Sequence, residues 1–204
     1  MSTSSPHALP ETSPATAPAT VEHQRHERWR RFGLGGATVW FTGLSGAGKS
    51  TTAQALAELL FERQVAYSML DGDAVRDGLN ADLGFSEEDR TENVRRLGEV
   101  ARLIADAGLV AIVAAISPYR AHRDQVRAAH AAAGLPFLEV FMDTSVQVCR
   151  ERDPKGLYAR SQSGELTGLT GVDAPYEAPR HPDVHLVPSM GTPEEQARTV
   201  LDAL

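Results

Sequence analysis

From Thr38 onward the chain alternates short apolar runs with longer stretches whose apolar residues recur at helical spacing. That alternation predicts an α/β fold, a parallel sheet flanked by helices. Thr38 to Thr42 reads as the first strand, Ala66 to Leu70 as the second and Leu109 to Ile116 as the third. Phe137 to Met142 and Val184 to Val187 supply a fourth and a fifth. The third run lacks any polar alternation, as expected of a central strand covered on both faces. Lys49 to Arg63 carries Ala53, Leu56, Leu59 and Leu60 on one helical stripe. Arg90 to Ala107 repeats the pattern with Val94, Leu97, Ala101 and Ile104, and Gly108 is its stop. Thr192-Pro193-Glu194-Glu195 opens a terminal helix with a cap, a proline at the first position and an acidic first turn. Arg95 and Glu99, one helical turn apart, read as an ordinary surface pair.

The pattern fails in two places. Residues 1–20 are rich in Ser, Thr, Pro and Ala, with neither the basic nor the apolar region of a secretory signal, and read as a disordered tail. Between Asp153 and Pro182 the chain turns to Gly, Pro, Ser and charge, which inside a compact domain is the mark of a lid. Val21 to Phe32, with alternating Arg, Glu and His around Trp29, reads either as a helix docked on the domain or on a second subunit, or as a solvated linker helix. The expected organisation is therefore a tail over 1–20, a linker or docking helix within 21–37, and one domain over 38–204 whose lid covers about 153–182.

Composition narrows the function. A formal net charge of -7 over 204 residues argues against broad electrostatic binding of nucleic acid. The longest apolar run, Leu109 to Ile116, is far below the roughly 20 residues of a membrane helix. The single cysteine, Cys149, excludes an intramolecular disulfide, suits a reducing cytosol and, in its apolar setting, reads as a buried thiol.

Gly43-Leu44-Ser45-Gly46-Ala47-Gly48-Lys49-Ser50 satisfies every fixed position of G-x-x-x-x-G-K-[ST], directly after a strand and before a helix. Glycines let backbone amides turn toward phosphate oxygens, and the helix N-terminus adds its dipole. Lys49 is expected to reach the β- and γ-phosphates and Ser50 to ligand Mg²⁺. Asp71-Gly72-Asp73 follows the second strand, at the sheet edge where ligands gather in open parallel sheets. An acid beside such a loop can take the proton from an attacking hydroxyl or hold the metal through water, and Arg76 can grip an acceptor phosphate; Asp73 is the first choice for the acid nearest the hydroxyl, with Asp71 either filling that role instead or serving as an outer-shell metal ligand. The bland alternative is an Asp-Gly turn followed by a helix cap. Phe85, with Arg90 and Asn93 on one helix face, forms a further anion-holding cluster. Ile116-Ser117-Pro118 sits at the end of the central strand, where a serine before proline is by itself often only a turn.

These segments together resemble the adenylyl-sulfate kinase family. The matching text is Thr42 to Thr51, Asp71-Gly72-Asp73, Gly78-Leu79-Asn80, Asp82-Leu83-Gly84-Phe85-Ser86, Arg90 with Glu92-Asn93, and Asp106-Ala107-Gly108-Leu109-Val110. It continues with Ile116-Ser117-Pro118-Tyr119-Arg120, Glu139-Val140-Phe141 and Arg152-Asp153-Pro154-Lys155-Gly156-Leu157-Tyr158. The resemblance implies a P-loop NTPase fold, ATP and Mg²⁺ held by Gly46, Ala47, Gly48, Lys49, Ser50 and Thr51, and phosphorylation of the 3′-hydroxyl of adenylyl sulfate to 3′-phosphoadenylyl sulfate. Carried over by position, Asp73, Arg76, Phe85, Arg90, Asn93, Ile116, Ser117 and Lys155 contact the acceptor, and Gly168 and Leu169 close from the lid. Lys49, Asp71, Asp73 and Ser117 form the expected catalytic set. Ser117 holds the position treated in the family as a phosphoserine intermediate, although direct in-line transfer needs no covalent relay. The resemblance also implies a homodimer in the cytoplasm and a link to a separate ATP sulfurylase.

Three positions depart from the family pattern. Ala74 stands where Asn is usual, Leu169 where a second aromatic completes a sandwich on the adenine, and Ala159-Arg160-Ser161-Gln162 is less basic than the usual lid. The sequence thus leaves two alternatives: a kinase of the same scaffold with another small nucleotide as acceptor, or a non-catalytic nucleotide-binding regulator. The second conflicts with the intact Lys49, Ser50, Asp71 and Asp73.

Overall fold

The computed structural model describes residues 21–204; the tail expected over 1–20 lies outside the described residues. Five strands, β1 (Ala37–Thr42), β2 (Tyr67–Asp71), β3 (Val110–Ala114), β4 (Phe137–Met142) and β5 (Val184–Leu186), pair in parallel in the order β2-β3-β1-β4-β5. The register sets Ala37 against Val110 and Thr38 against Phe137, so β1 is central. Its alternate residues feed two cores. Val39 and Phe41 pack with Ile112 and Val140 beneath α2 (Lys49–Glu62) and α7 (Pro193–Ala203), through Leu56, Leu60 and Val200. Trp40 turns the other way, onto Val113 and the Val94, Leu97 and Ala101 stripe of α3 (Glu87–Ala107). A strand buried on both faces needs no polar alternation, and all six residues of β1 and all five of β3 are buried.

Helix α3 begins a turn earlier than its apolar stripe suggests. Ser86 caps it by accepting from the Asp89 amide at 3.1 Å, and Glu87, Glu88 and Asp89 fill the first turn, where acids complement the helix dipole and apolar residues are not required. The ion pair expected between Arg95 and Glu99 is not formed: Arg95 pairs with Glu92 at 2.7 Å and Glu99 with Arg102 at 3.0 Å, both one turn away on α3. At the carboxyl end of the chain, Thr192 and Glu195 form the full reciprocal capping box of α7.

Helix α4 (Arg120–Ala132) is invisible to an apolar-period reading because two of its three buried residues, Arg123 and His130, are polar; Val126 is the third. His130 is fully buried, with Nε2 2.9 Å from Thr38 Oγ1 and Nδ1 2.8 Å from the Val126 carbonyl oxygen. Burial holds its pKa below the usual 6.5, so the folded chain takes up a proton there less readily than the unfolded chain. Stability is therefore fully present above pH 6.5 and is lost as the pH falls from there through the lower folded value. Urea unfolding between pH 7.5 and 5 is expected to show this loss, and a His130→Gln variant to show a flatter dependence over the same window; equal slopes would refute the assignment.

Before β1, helix α1 (Val21–Phe32) lies against α3 and α4 of its own chain. Arg25, buried, donates from Nη1 to Asp106 at 3.2 Å and to the Ala133 carbonyl oxygen at 2.7 Å, and Trp29 Nε1 donates to the Asp106 carbonyl oxygen at 3.1 Å. Among the described residues no helix is long and apolar enough to cross a membrane. The segment over 153–182 is not structureless throughout. It contains α6 (Leu157–Gln162), preceded by α5 (Val146–Arg152), and Asp153 accepts from the amides of Tyr158 and Ala159 at 3.1 and 3.0 Å to start it. Cys149 is fully buried in α5.

Candidate active site

The loop 43–48 leaves β1 and turns into α2. Gly48 holds a φ of 102° at the helix N-cap, a left-handed conformation that side chains disfavour, and a Cβ on Gly43 would sit 2.7 Å from the Met142 carbonyl oxygen. Both demands follow from threading a tight phosphate-sized loop between β1 and β4. Three residues to which the sequence assigned no role, two of them within the matching family text, brace it from outside. Thr144 Oγ1 donates to the Ala47 carbonyl oxygen at 3.0 Å, Tyr158 OH to that of Ser45 at 2.9 Å, and Arg152 Nη1 to that of Gly46 at 3.3 Å.

Lys49 Nζ donates to the carbonyl oxygens of Gly43 at 2.9 Å and Leu44 at 2.7 Å. Burial, aided by the positive charge of Lys155 and opposed by Asp73 and Asp71, lowers its pKa to about 8. Ser50 Oγ donates to Asp71 Oδ2 at 2.6 Å, and the Asp73 amide donates to Asp71 Oδ1 at 2.9 Å. Burial pushes the Asp71 carboxyl up, but the bonds from Ser50 and from the backbone of Asp73 and Ala74 outweigh it and hold it below the usual range. Asp71 is thus committed to Ser50, while Asp73 projects to the other side and pairs with Lys155.

Every expected site residue except Gly43 and Asp71 lines one cleft of about 910 Å³. On the wall facing the phosphate loop, the Arg76 guanidinium lies 4.3 Å above the ring of Phe85, which is 69% exposed. Arg76 Nη1 donates to the carbonyl oxygens of Leu83 and Gly84 at 3.2 and 2.9 Å. Arg90 Nε donates to the Phe85 carbonyl oxygen at 2.9 Å, and its two terminal nitrogens donate to Thr170 Oγ1 and the Gly168 carbonyl oxygen. Burial and the nearby Arg90 charge lower the pKa of Arg76, as two converging guanidiniums must. Asn93 Oδ1 accepts from Asn80 Nδ2 at 2.9 Å. Leu169 is buried with the core cluster beside Leu44 and Tyr158, so Phe85 carries the aromatic face of this wall.

Ser117 lines the cleft at a left-handed φ of 42°, with its hydroxyl turned inward: Oγ accepts from Trp40 Nε1 at 3.1 Å and donates to Thr42 Oγ1 at 3.0 Å, an arrangement that gives no support to a covalent phosphoserine. The cleft is also lined by Val187, Pro188, Gly191 and Gln196, none of them expected. The signal was present, since residues following β5 also lie at the ligand-facing end of a parallel strand.

A phosphate loop after the central strand of a parallel β2-β3-β1-β4-β5 sheet, opening into a lid-covered cleft with a basic second wall, defines a P-loop kinase. The family model for adenylylsulphate kinase matches residues 35–187. The chain is 54% identical over 162 residues to the adenylyl-sulfate kinase of Klebsiella pneumoniae, covering 79% of this chain and 80% of that one. It is 50% identical over 188 residues to the bifunctional enzyme CysN/CysC of Mycobacterium tuberculosis, covering 92% of this chain but only 30% of that longer relative. The solved structure of the Mycobacterium tuberculosis APS kinase CysC in complex with AMPPNP and APS superposes with a TM-score of 0.81 at 52% identity, over 83% of this chain and 98% of that one. The chain belongs to the adenylylsulphate kinase family.

Proposed function

We propose that this protein transfers the γ-phosphate of ATP to the 3′-hydroxyl of adenylyl sulfate, giving 3′-phosphoadenylyl sulfate. The observation that carries the reading is one cleft in which the phosphate loop faces Asp73, Arg76, Phe85, Arg90 and Lys155. The complex of the Mycobacterium tuberculosis relative with AMPPNP and APS supports the same pairing of nucleotides.

In this reading the loop amides and Lys49 neutralise the phosphoryl oxygens. Ser50 and Asp71 fit a magnesium ion: the Ser50 hydroxyl donates a hydrogen bond to the Asp71 carboxylate, which leaves the hydroxyl oxygen's lone pairs free as a hard ligand. Among the described residues no cluster of three carboxylate, imidazole or thiol groups offers a protein-only metal cage. That suits an ion that takes most of its ligands from nucleotide and water. Held there, magnesium would supply neutralisation of phosphate charge. Asp73 accepts the proton of the attacking hydroxyl, Arg76, Arg90 and Lys155 hold the anionic groups of the acceptor, and Phe85 stacks on its base. The lid excludes water that would otherwise hydrolyse ATP.

ADP release by the purified protein with ATP and Mg²⁺ tests this. Turnover is expected to depend on adenylyl sulfate; a folded, ATP-binding protein that stays silent with it would overturn the assignment. The buried Leu169 favours one second reading, another small sulfated or phosphorylated nucleotide as acceptor, and substitution of such nucleotides in the same assay separates the two. The proposal includes a homodimer, decided by the mass of the same preparation in solution. It also includes supply of the acceptor by a separate ATP sulfurylase, a link supported by the bifunctional relative.

A further inference from the structure

The lid loop that closes the acceptor side is held from a residue that does not itself reach the cleft. Asp173 accepts from the Gly168 amide through Oδ2 and from the Leu169 amide through Oδ1, both at 2.6 Å. Each carboxylate oxygen is thereby committed to one backbone donor, and these bonds, that from Gly168 foremost, hold the Asp173 carboxyl below the usual range. The loop closes on itself behind them: the amides of Val172, Asp173 and Ala174 all donate to the Leu169 carbonyl oxygen, and the Gly171 amide to that of Ala174 at 2.7 Å. From the opposite side Arg90 donates to the Gly168 carbonyl oxygen and to Thr170 Oγ1. Gly168 is therefore gripped at its amide by Asp173 and at its carbonyl by the arginine expected to meet the acceptor.

We infer that Asp173 is a positioning residue for the acceptor subsite, fixing the 168–170 loop so that Arg90 and the Gly168–Leu169 backbone present one preformed wall. The inference rests on the proposed function in taking that wall as the acceptor's. Two charge-assisted bonds to backbone amides organise the loop before any ligand arrives, so the ordering cost is not drawn from acceptor binding. The hydrogen bonds that brace the phosphate loop come from other residues, Thr144, Tyr158 and Arg152, so the ATP side has supports that do not pass through Asp173.

The test compares Asp173→Ala and Asp173→Asn with the wild type, varying adenylyl sulfate and ATP separately. Loss of both bonds in Asp173→Ala is expected to raise KM for adenylyl sulfate about tenfold while leaving KM for ATP within about twofold. Asp173→Asn, which keeps one acceptor oxygen, falls between. Arg25→Ala, which loosens α1 and touches no cleft residue, is the stability control and should lower Tm without moving either KM. Equal changes in both KM values, or none, would overturn the inference. Amide hydrogen exchange at Gly168 and Leu169 is read alongside and is expected to quicken at least about tenfold in Asp173→Ala. Unchanged protection there defeats the clasp outright. A wild type inactive with adenylyl sulfate would defeat the proposed function, while the exchange result still decides whether Asp173 holds the loop.

Discussion

Asp73→Asn is expected to lower kcat roughly 10²- to 10⁴-fold, the usual scale for loss of a positioned proton acceptor. The two acids of Asp71-Gly72-Asp73 are chemically alike in sequence, and their bonds divide the labour. Asp71 is occupied by the Ser50 hydroxyl and the Asp73 amide, which keeps it ionised beside the metal site. Asp73 pairs with Lys155 in the cleft lining and, unlike Asp71, is the acid we propose meets a hydroxyl arriving against Phe85 and Arg90. Asn keeps the shape but neither takes a proton nor holds Lys155 by charge, so KM for the acceptor should rise as kcat falls. Asp71→Asn should instead show itself in the magnesium dependence of the rate, because its partner is Ser50. Steady-state rates for both variants at varied acceptor and varied Mg²⁺ decide the matter. Full activity in Asp73→Asn would move the proton acceptor elsewhere.

Arg123→Ala is expected to cost roughly 3–5 kcal/mol of stability, the range for removing one partner from a buried ion pair. The Arg123 guanidinium is buried and donates to Glu139 Oε1 at 2.7 Å, to the Ser117 carbonyl oxygen at 2.6 Å and to the Glu177 carbonyl oxygen at 2.7 Å. It joins β4, the end of β3 and the returning arm of the lid through one side chain. Its loss leaves the buried Glu139 with only a 3.5 Å contact to Arg127 and frees two carbonyls without donors. It also releases the left-handed backbone of Ser117, whose conformation the arginine holds. Thermal unfolding should fall by on the order of 10 °C. A double variant, Arg123→Met with Glu139→Leu, removes both charges while filling their volume and should recover most of the loss. A single variant costing less than about 1 kcal/mol would show that the pair contributes little beyond its packing.

The phosphate loop was legible residue by residue because its constraints are local: glycines where the backbone must turn left-handed, a lysine and a serine at fixed distance, a strand before and a helix after. Asp71 and Asp73 were legible by a slightly longer argument, since a short loop at the carboxyl end of a parallel strand has little choice of where to lie. Resemblance to the family named the remaining acceptor residues, and the cleft gathers them. Helix α4 escaped because its inward stripe is built from Arg123, Val126 and His130. Polar residues look like surface until a partner from elsewhere, Glu139 or Thr38, satisfies them. Asp173 and Thr144 escaped, and Tyr158 was quoted without a role, because their partners are backbone groups with no side-chain signature.

What the sequence determined by itself, then, is the parallel α/β sheet and the nucleotide loop, which follow from spacing along the chain, and the family, which follows from the resemblance of its motifs. The tertiary structure alone decided that Asp71 bonds Ser50 while Asp73 pairs with Lys155, that the Ser117 hydroxyl points into the core, and that Asp173 and Arg90 share the lid. These depend on bonds between positions 21 to 82 residues apart in most cases, and on backbone partners close by in the rest. The direction of a hydrogen bond is set by the fold that brings its two ends together.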